Sequence, residues 1–93
     1  MKVERFSEKA CCNKGKNITF KIDRPITAPL IQFLVEQGFR EAAHFTKAGM
    51  LYVDNSDLII TGPIGANRIN VKCKKDDCDQ IINDFQELLT KIE

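Results

Sequence analysis

The chain has no tryptophan, one tyrosine, one histidine and three prolines among its 93 residues. Each scarcity removes a class of function. With His44 as the only imidazole, and no serine elbow, HExxH helix or acid pair with a reason to be buried, the sequence offers no nucleophile–base–orienter set. The chain therefore reads as non-enzymatic. No window approaches the ~18 uninterrupted apolar residues of a membrane-spanning helix. Met1 to Ala10 lacks the apolar core of a signal peptide, so a cytoplasmic location is expected, with cysteines as reduced thiols, metal ligands or redox groups rather than a disulfide frame. No repeat, low-complexity segment or linker divides the chain, so one domain is expected.

What is present is ordinary globular material: 43% hydrophobic residues, six of them Phe, and 29% charged residues. The net charge is +1, which argues for no particular partner, but its distribution is uneven. Met1 to Pro25 holds seven Lys and Arg against three acids, and Asp76 to Glu93 holds six acids against one Lys. The result is a dipolar molecule, which orients encounters without much net attraction. The local account is that Asp76, Asp77 and Asp79 complement the positive end of a helix.

Residues 1–16 are polar and without a clean period, and read as a basic arm, loosely structured or a short helix. Residues 17–93 read as the folded domain. Ile18, Phe20 and Ile22 alternate with Thr19 and Lys21, the pattern of a half-buried strand that Arg24-Pro25 ends. Thr27 and Pro29 mark a helix start, and Leu30, Ile31, Phe33, Leu34 and Val35 its wide apolar stripe, closed at Gly38. From Glu41 to Lys75 the period is two. Ala43 and Phe45 alternate with His44 and Thr46 in a first strand. Met50–Asp54, Leu58–Gly62 and Arg68–Lys74 follow, separated by turns at Gly49, Asn55–Asp57 and Pro63–Asn67. Cys78, Ile81, Ile82, Phe85, Leu88, Leu89 and Ile92 carry the spacing of a core-facing helix.

The expected fold is therefore α+β, in the order β-α-β-β-β-β-α, with one antiparallel sheet and two helices on one of its faces. This order is similar to one half of the TATA-box-binding-protein fold, which also serves as an accessory domain in some nucleic-acid enzymes. The resemblance is one of topology, over about Asn17 to Ile92, and no motif residue carries it. It implies that the open face of the sheet is the working surface.

Four groups of residues could carry chemistry. Cys11, Cys12, Cys73 and Cys78 form a candidate zinc or thiol-redox set, with Cys73-x4-Cys78 at the loose edge of metal-ligand spacing. Lysines nearby would favour thiolates. Against that, Cys73 and Cys78 fit the inner faces of their strand and helix as small hydrophobes. The glycine-rich stretch Thr61–Arg68 leads into a strand rather than a helix, so it reads as a hairpin turn and not as a phosphate loop. The open face should display Lys21, His44, Arg68, Asn70 and Lys72 with Thr19 and Thr46, joined by Met50 and Tyr52 or else by Leu51 and Val53. Finally, Met50–Val53 and Leu58–Ile60 are apolar at successive positions. That places Met50, Tyr52 and Ile59 under the N-terminal arm or in a dimer interface.

These features describe a small binding or adaptor domain that contacts a protein partner, or a second copy of itself, through the open sheet face. A nucleic-acid-associated domain using Lys21, Arg68, Asn70 and Lys72 is the alternative reading. A four-cysteine zinc or thiol-redox protein is a further one. No cofactor is required by the first two.

Overall fold

A computed structural model describes residues 1–10 and 16–92. The elements run β1 (Val3–Ala10), β2 (Lys16–Ile22), α1 (Ala28–Glu36), β3 (Arg40–Glu41), α2 (Ala43–Lys47), β4 (Met50–Asp54), β5 (Leu58–Pro63), β6 (Arg68–Cys73) and α3 (Cys78–Thr90). The strands form one sheet in the order β1-β2-β6-β5-β4-β3, every neighbouring pair antiparallel. The expected α+β class is found, and over β2 to α3 the expected order β-α-β-β-β-β-α holds roughly, with the short helix α2 inserted between β3 and β4.

Alternation sets the two faces. Ile18, Phe20, Ile22, Leu51, Val53, Leu58, Ile60, Ile69, Val71 and Cys73 all point to one side and are buried there. Leu30, Ile31 and Leu34 of α1 and Cys78, Ile82, Phe85 and Leu89 of α3 cover that side. Phe85 meets Phe20 and, edge to face, Phe39, with ring centroids 6.3 and 5.8 Å apart. Burying side chains of this size, at roughly 1.5–3 kcal/mol each, is what holds the layers together.

The helix ends follow their sequence signals through the backbone. Thr27 occupies the N-cap of α1 and Asp77 that of α3, yet neither side chain makes a capping bond. Gly38, at φ 101°, ends α1 in the left-handed region that favours glycine and turns Phe39 back into the core. The Asn55 side chain accepts the N–H groups of Asp57 and Leu58, at 2.8 and 2.7 Å, and so builds the β4–β5 turn. Thr61–Arg68 is the expected hairpin turn. Its Gly65 N–H donates to the carbonyl of Ile26 at 2.9 Å and its Ala66 carbonyl accepts from Ile26 N–H at 2.8 Å, so the turn is docked against the chain that follows β2.

Two local expectations are corrected. Val3–Ala10, read as a loose arm or a short helix, is edge strand β1, paired with β2 along its length around a bulge between Arg5 and Ser7. Arg5 Nε donates to Gln86 Oε1 at 3.1 Å, which ties this strand to α3 as well. Ala43–Thr46, read as a strand, belongs to helix α2. Four alternating residues are too few to fix a period. Strand pairing stops at Glu41, whose carboxylate accepts the Thr46 hydroxyl at 2.7 Å and favours the helical turn.

Candidate functional site

The outer face of the sheet is built from the residues that alternate with the core. In register across the strands, Thr19 of β2, Asn70 of β6, Thr61 of β5 and Tyr52 of β4 form a central row of polar groups. To one side lie Lys21 and Arg68, directly opposite each other, with Met50 paired to Pro63. To the other side Asn17 pairs with Lys72, Lys72 with Ile59, and Ile59 with Asp54. Of the two sets left open for β4, Met50 and Tyr52 are on this face, because Leu51 and Val53 are in the core.

Each end of the face carries aromatic rings. Phe6 of β1 is 56% exposed and lies under the Arg68 guanidinium, whose carbon is 4.6 Å from the ring centroid. The contact is a cation–π pair that reaches over β2. At the far end, Phe45 of α2 stacks on Tyr52 with centroids 4.8 Å apart and planes within 16°, and His44 lies 4.4 Å from Phe45. His44 thus reaches this region from a helix and not, as the alternation implied, from a strand. Phe45 remains 39% exposed, with ring surface open to solvent. Between the two aromatic ends, Thr19, Met50, Thr61, Pro63, Arg68 and Asn70 line a depression of about 230 Å³.

The charges on this face are mostly basic. Glu4 and Asp54 are the acidic residues that the register places here among those described, and Asp54 has both Arg40 and Lys74 at 3.7 Å. Lys21, Arg68 and Lys72 are all exposed. The helical side is the opposite pole. Asp79, Asp84 and Glu87 lie on α3, which carries no Lys or Arg between 78 and 90. A groove of about 280 Å³ on that side has Phe39, Ile81, Phe85 and Leu88 in its walls and Asp57 and Asp84 beside them.

Of the six residues expected on the face, Lys21, Tyr52, Arg68, Asn70 and Lys72 share it, and His44 joins from α2. Phe6 and Phe45 were missed. The strand period that would turn Phe45 inward does not hold, and the polar run of residues 1–16 hides Phe6 in an arm. Val3-Glu4-Arg5-Phe6 does not alternate apolar with polar, and Phe6 sits at the bulge in the β1–β2 pairing, so the sequence carries no signal for an outward Phe6. Of the two covers expected for Met50, Tyr52 and Ile59, the arm or a dimer interface, the arm is corrected over its described residues. Residues 3–10 lie at the other edge of the sheet, and Tyr52 is covered by Phe45.

The cysteine corner differs from expectation. Cys73 ends the inner face of β6 and Cys78 opens the inner face of α3, as their periods require, but the two sulfurs are joined in a disulfide with Cα atoms 5.8 Å apart. The turn between them brings both residues to one spot, a separation typical of bridged cysteines. Lys75 N–H points at Cys73 Sγ from 3.4 Å, and the Lys75 carbonyl oxygen is 2.8 Å from Cys78 Sγ. A reduced Cys78 therefore has an acceptor in place, and neither redox state leaves the backbone of Lys75 without a neighbour. Sulfurs committed to a disulfide are not thiolate ligands. Cys11 and Cys12, the other half of the candidate zinc set, lie outside the described residues. Comparison with family models, with curated proteins and with solved structures finds no match to this chain.

Proposed function

We propose that the chain is a binding domain whose working surface is the open sheet face. The observation that carries this reading is where the unburied apolar side chains are. Among the described residues, Phe6, Phe45 and Met50 are three of the four large hydrophobic residues left exposed, and all three are on or beside that face. Solvent exposure of large apolar groups is unfavourable, and when they gather on one surface with polar groups between them they mark a contact site. A sheet that needed only a soluble outer face would carry polar residues there. Nothing in the reading calls for a catalytic group or a metal.

The test is a photo-crosslinking amino acid placed at Met50, on the face, and in a second protein at Glu87, on α3. Irradiation in extract of the source cells should give adducts at Met50 and not at Glu87. Equal yields at the two positions, or adducts at Glu87 alone, would sink the proposal.

A further inference from the structure

The open face also indicates what kind of ligand it would take, and this step rests on the reading just given. We infer that the ligand is single-stranded nucleic acid, with bases stacked on Phe6 and Phe45 and phosphates met by Lys21, Arg68 and Lys72.

Three features point the same way. The exposed rings are not one apolar patch of the kind that seats a hydrophobic protein anchor. They stand at separate ends of the face, Phe6 with Arg68 over it and Phe45 backed by Tyr52. An aromatic ring held from behind by a second ring presents a rigid platform, and base–aromatic stacking is the sequence-tolerant contact such platforms make. Only unstacked bases can reach it, which excludes an intact duplex as the primary ligand.

Between the platforms runs the polar row of Thr19, Asn70 and Thr61, hydroxyl and amide groups suited to the edges of splayed bases. From β1, which carries Phe6, to β4, where Tyr52 backs Phe45, is four strand spacings, roughly 19 Å, so the platforms flank a gap a few nucleotides long. The third feature is charge. Asp54 is engaged by Arg40 and Lys74, which leaves Glu4 against Lys21, Arg68 and Lys72, while the acids of α3 occupy the opposite side. A polyanion approaching this dipole is turned toward the sheet and away from α3.

The experiment is fluorescence anisotropy with labelled oligo(U) and oligo(dT) of ~12 nucleotides, within the span of single-strand sites. Both should bind. Three phosphate contacts at a slope of about −0.7 each predict that affinity falls about twentyfold between about 50 and 200 mM salt. Phe45→Ala and Phe6→Ala should each weaken binding about tenfold and leave the salt slope unchanged. Lys72→Ala should instead flatten the slope by about 0.7. A preference for oligo(U) would assign a 2′-hydroxyl contact, and equal binding would assign recognition by stacking and charge alone.

Absence of binding by either oligonucleotide at the lower salt overturns the ligand class. If Met50 then still crosslinks, to protein or to a second copy of the chain, the face keeps its role and only this inference falls. Binding that ignores all three substitutions places the nucleic acid elsewhere and overturns this inference, while the Met50 and Glu87 crosslinks decide separately whether the face keeps its role. The substituted residues are on the surface. A thermal melt of each variant separates lost contacts from lost fold, and Lys72→Ala carries the test should an aromatic variant unfold.

Discussion

The two faces of the sheet are written on alternate residues of the same strands, yet they serve different ends. Phe20 is wholly buried and its neighbours Thr19 and Lys21 point the other way; Ile69 and Val71 are buried on either side of Asn70. What differs is the partner each face has inside the molecule. The inner face has two helices, and its side chains supply the folding energy. The outer face has α2 at one corner, and most of its side chains are left at the surface. A period of two thus lets the core and the outer surface change independently, provided the register holds, since a slip of one residue would exchange them.

The largest expected effect breaks that separation on one side. Phe20→Ala removes a ring packed against Phe85 in a fully buried site, and should lower unfolding free energy by about 3–5 kcal/mol in a urea melt. Lys21→Ala, one residue on and facing out, should stay within about 0.5 kcal/mol of the parent. Comparable losses for the two would mean that the faces are not independent.

Gly62→Ala sharpens the comparison within β5. A Cβ there would lie 2.8 Å from Ile26 Cδ1 and 2.8 Å from the backbone oxygen of Arg68, and the backbone cannot rotate aside as the isoleucine can. The expected loss is about 1–3 kcal/mol by the same melt, against little change for Thr61→Ala on the outer face. The disulfide gives the inner face a covalent tie that the described outer face lacks. Its short loop predicts that reductant lowers stability by about 2 kcal/mol, read as a shift of the urea midpoint. No shift would show the bond to be dispensable.

The smallest effect lies at the rim. Asp23 accepts the Lys2 backbone N–H at 3.1 Å and then the Arg24 side chain, and these bonds hold its carboxyl below the ordinary value of 3.8. A carboxylate depressed in the folded state stabilises the fold above its unfolded value and loses that contribution as pH falls through the lower one. The Lys2 amide resonance should therefore titrate with a midpoint below 3.8, and Asp23→Asn should abolish that titration. A midpoint at or above 3.8 would remove the anchor from β1.

Much of this was legible in the residues. Alternation from Ile18 to Ile22 and from Ile69 to Cys73, and the 3.6-residue stripe of α3, fixed which side chains are inward. The outward set of Lys21, Arg68, Asn70 and Lys72 followed as the complement. Two failures have one cause. Val3–Phe6 and Ala43–Thr46 are each about four residues long, where helix, strand and loop patterns overlap, and tertiary contacts decide: pairing with β2 in the first case, Phe45 on Tyr52 in the second. The disulfide is not legible in the sequence when redox state is judged from residues 1–10 instead of from the geometry of the corner. Both periods already brought Cys73 and Cys78 to the same side of one tight turn.

The sheet order has a consequence for how the chain folds. β4, β5 and β6 are joined by short turns and can pair as soon as they exist, whereas β2 lies against β6 with Asn17 opposite Lys72, roughly fifty residues away in sequence. Docking of β2 is the non-local step, and it belongs late in the reaction. The row from Thr19 to Tyr52 is not complete until that strand arrives. A partly folded chain, even one with its meander formed, has only part of that row in place, so the outer face is completed by a long-range pairing and not by the meander alone.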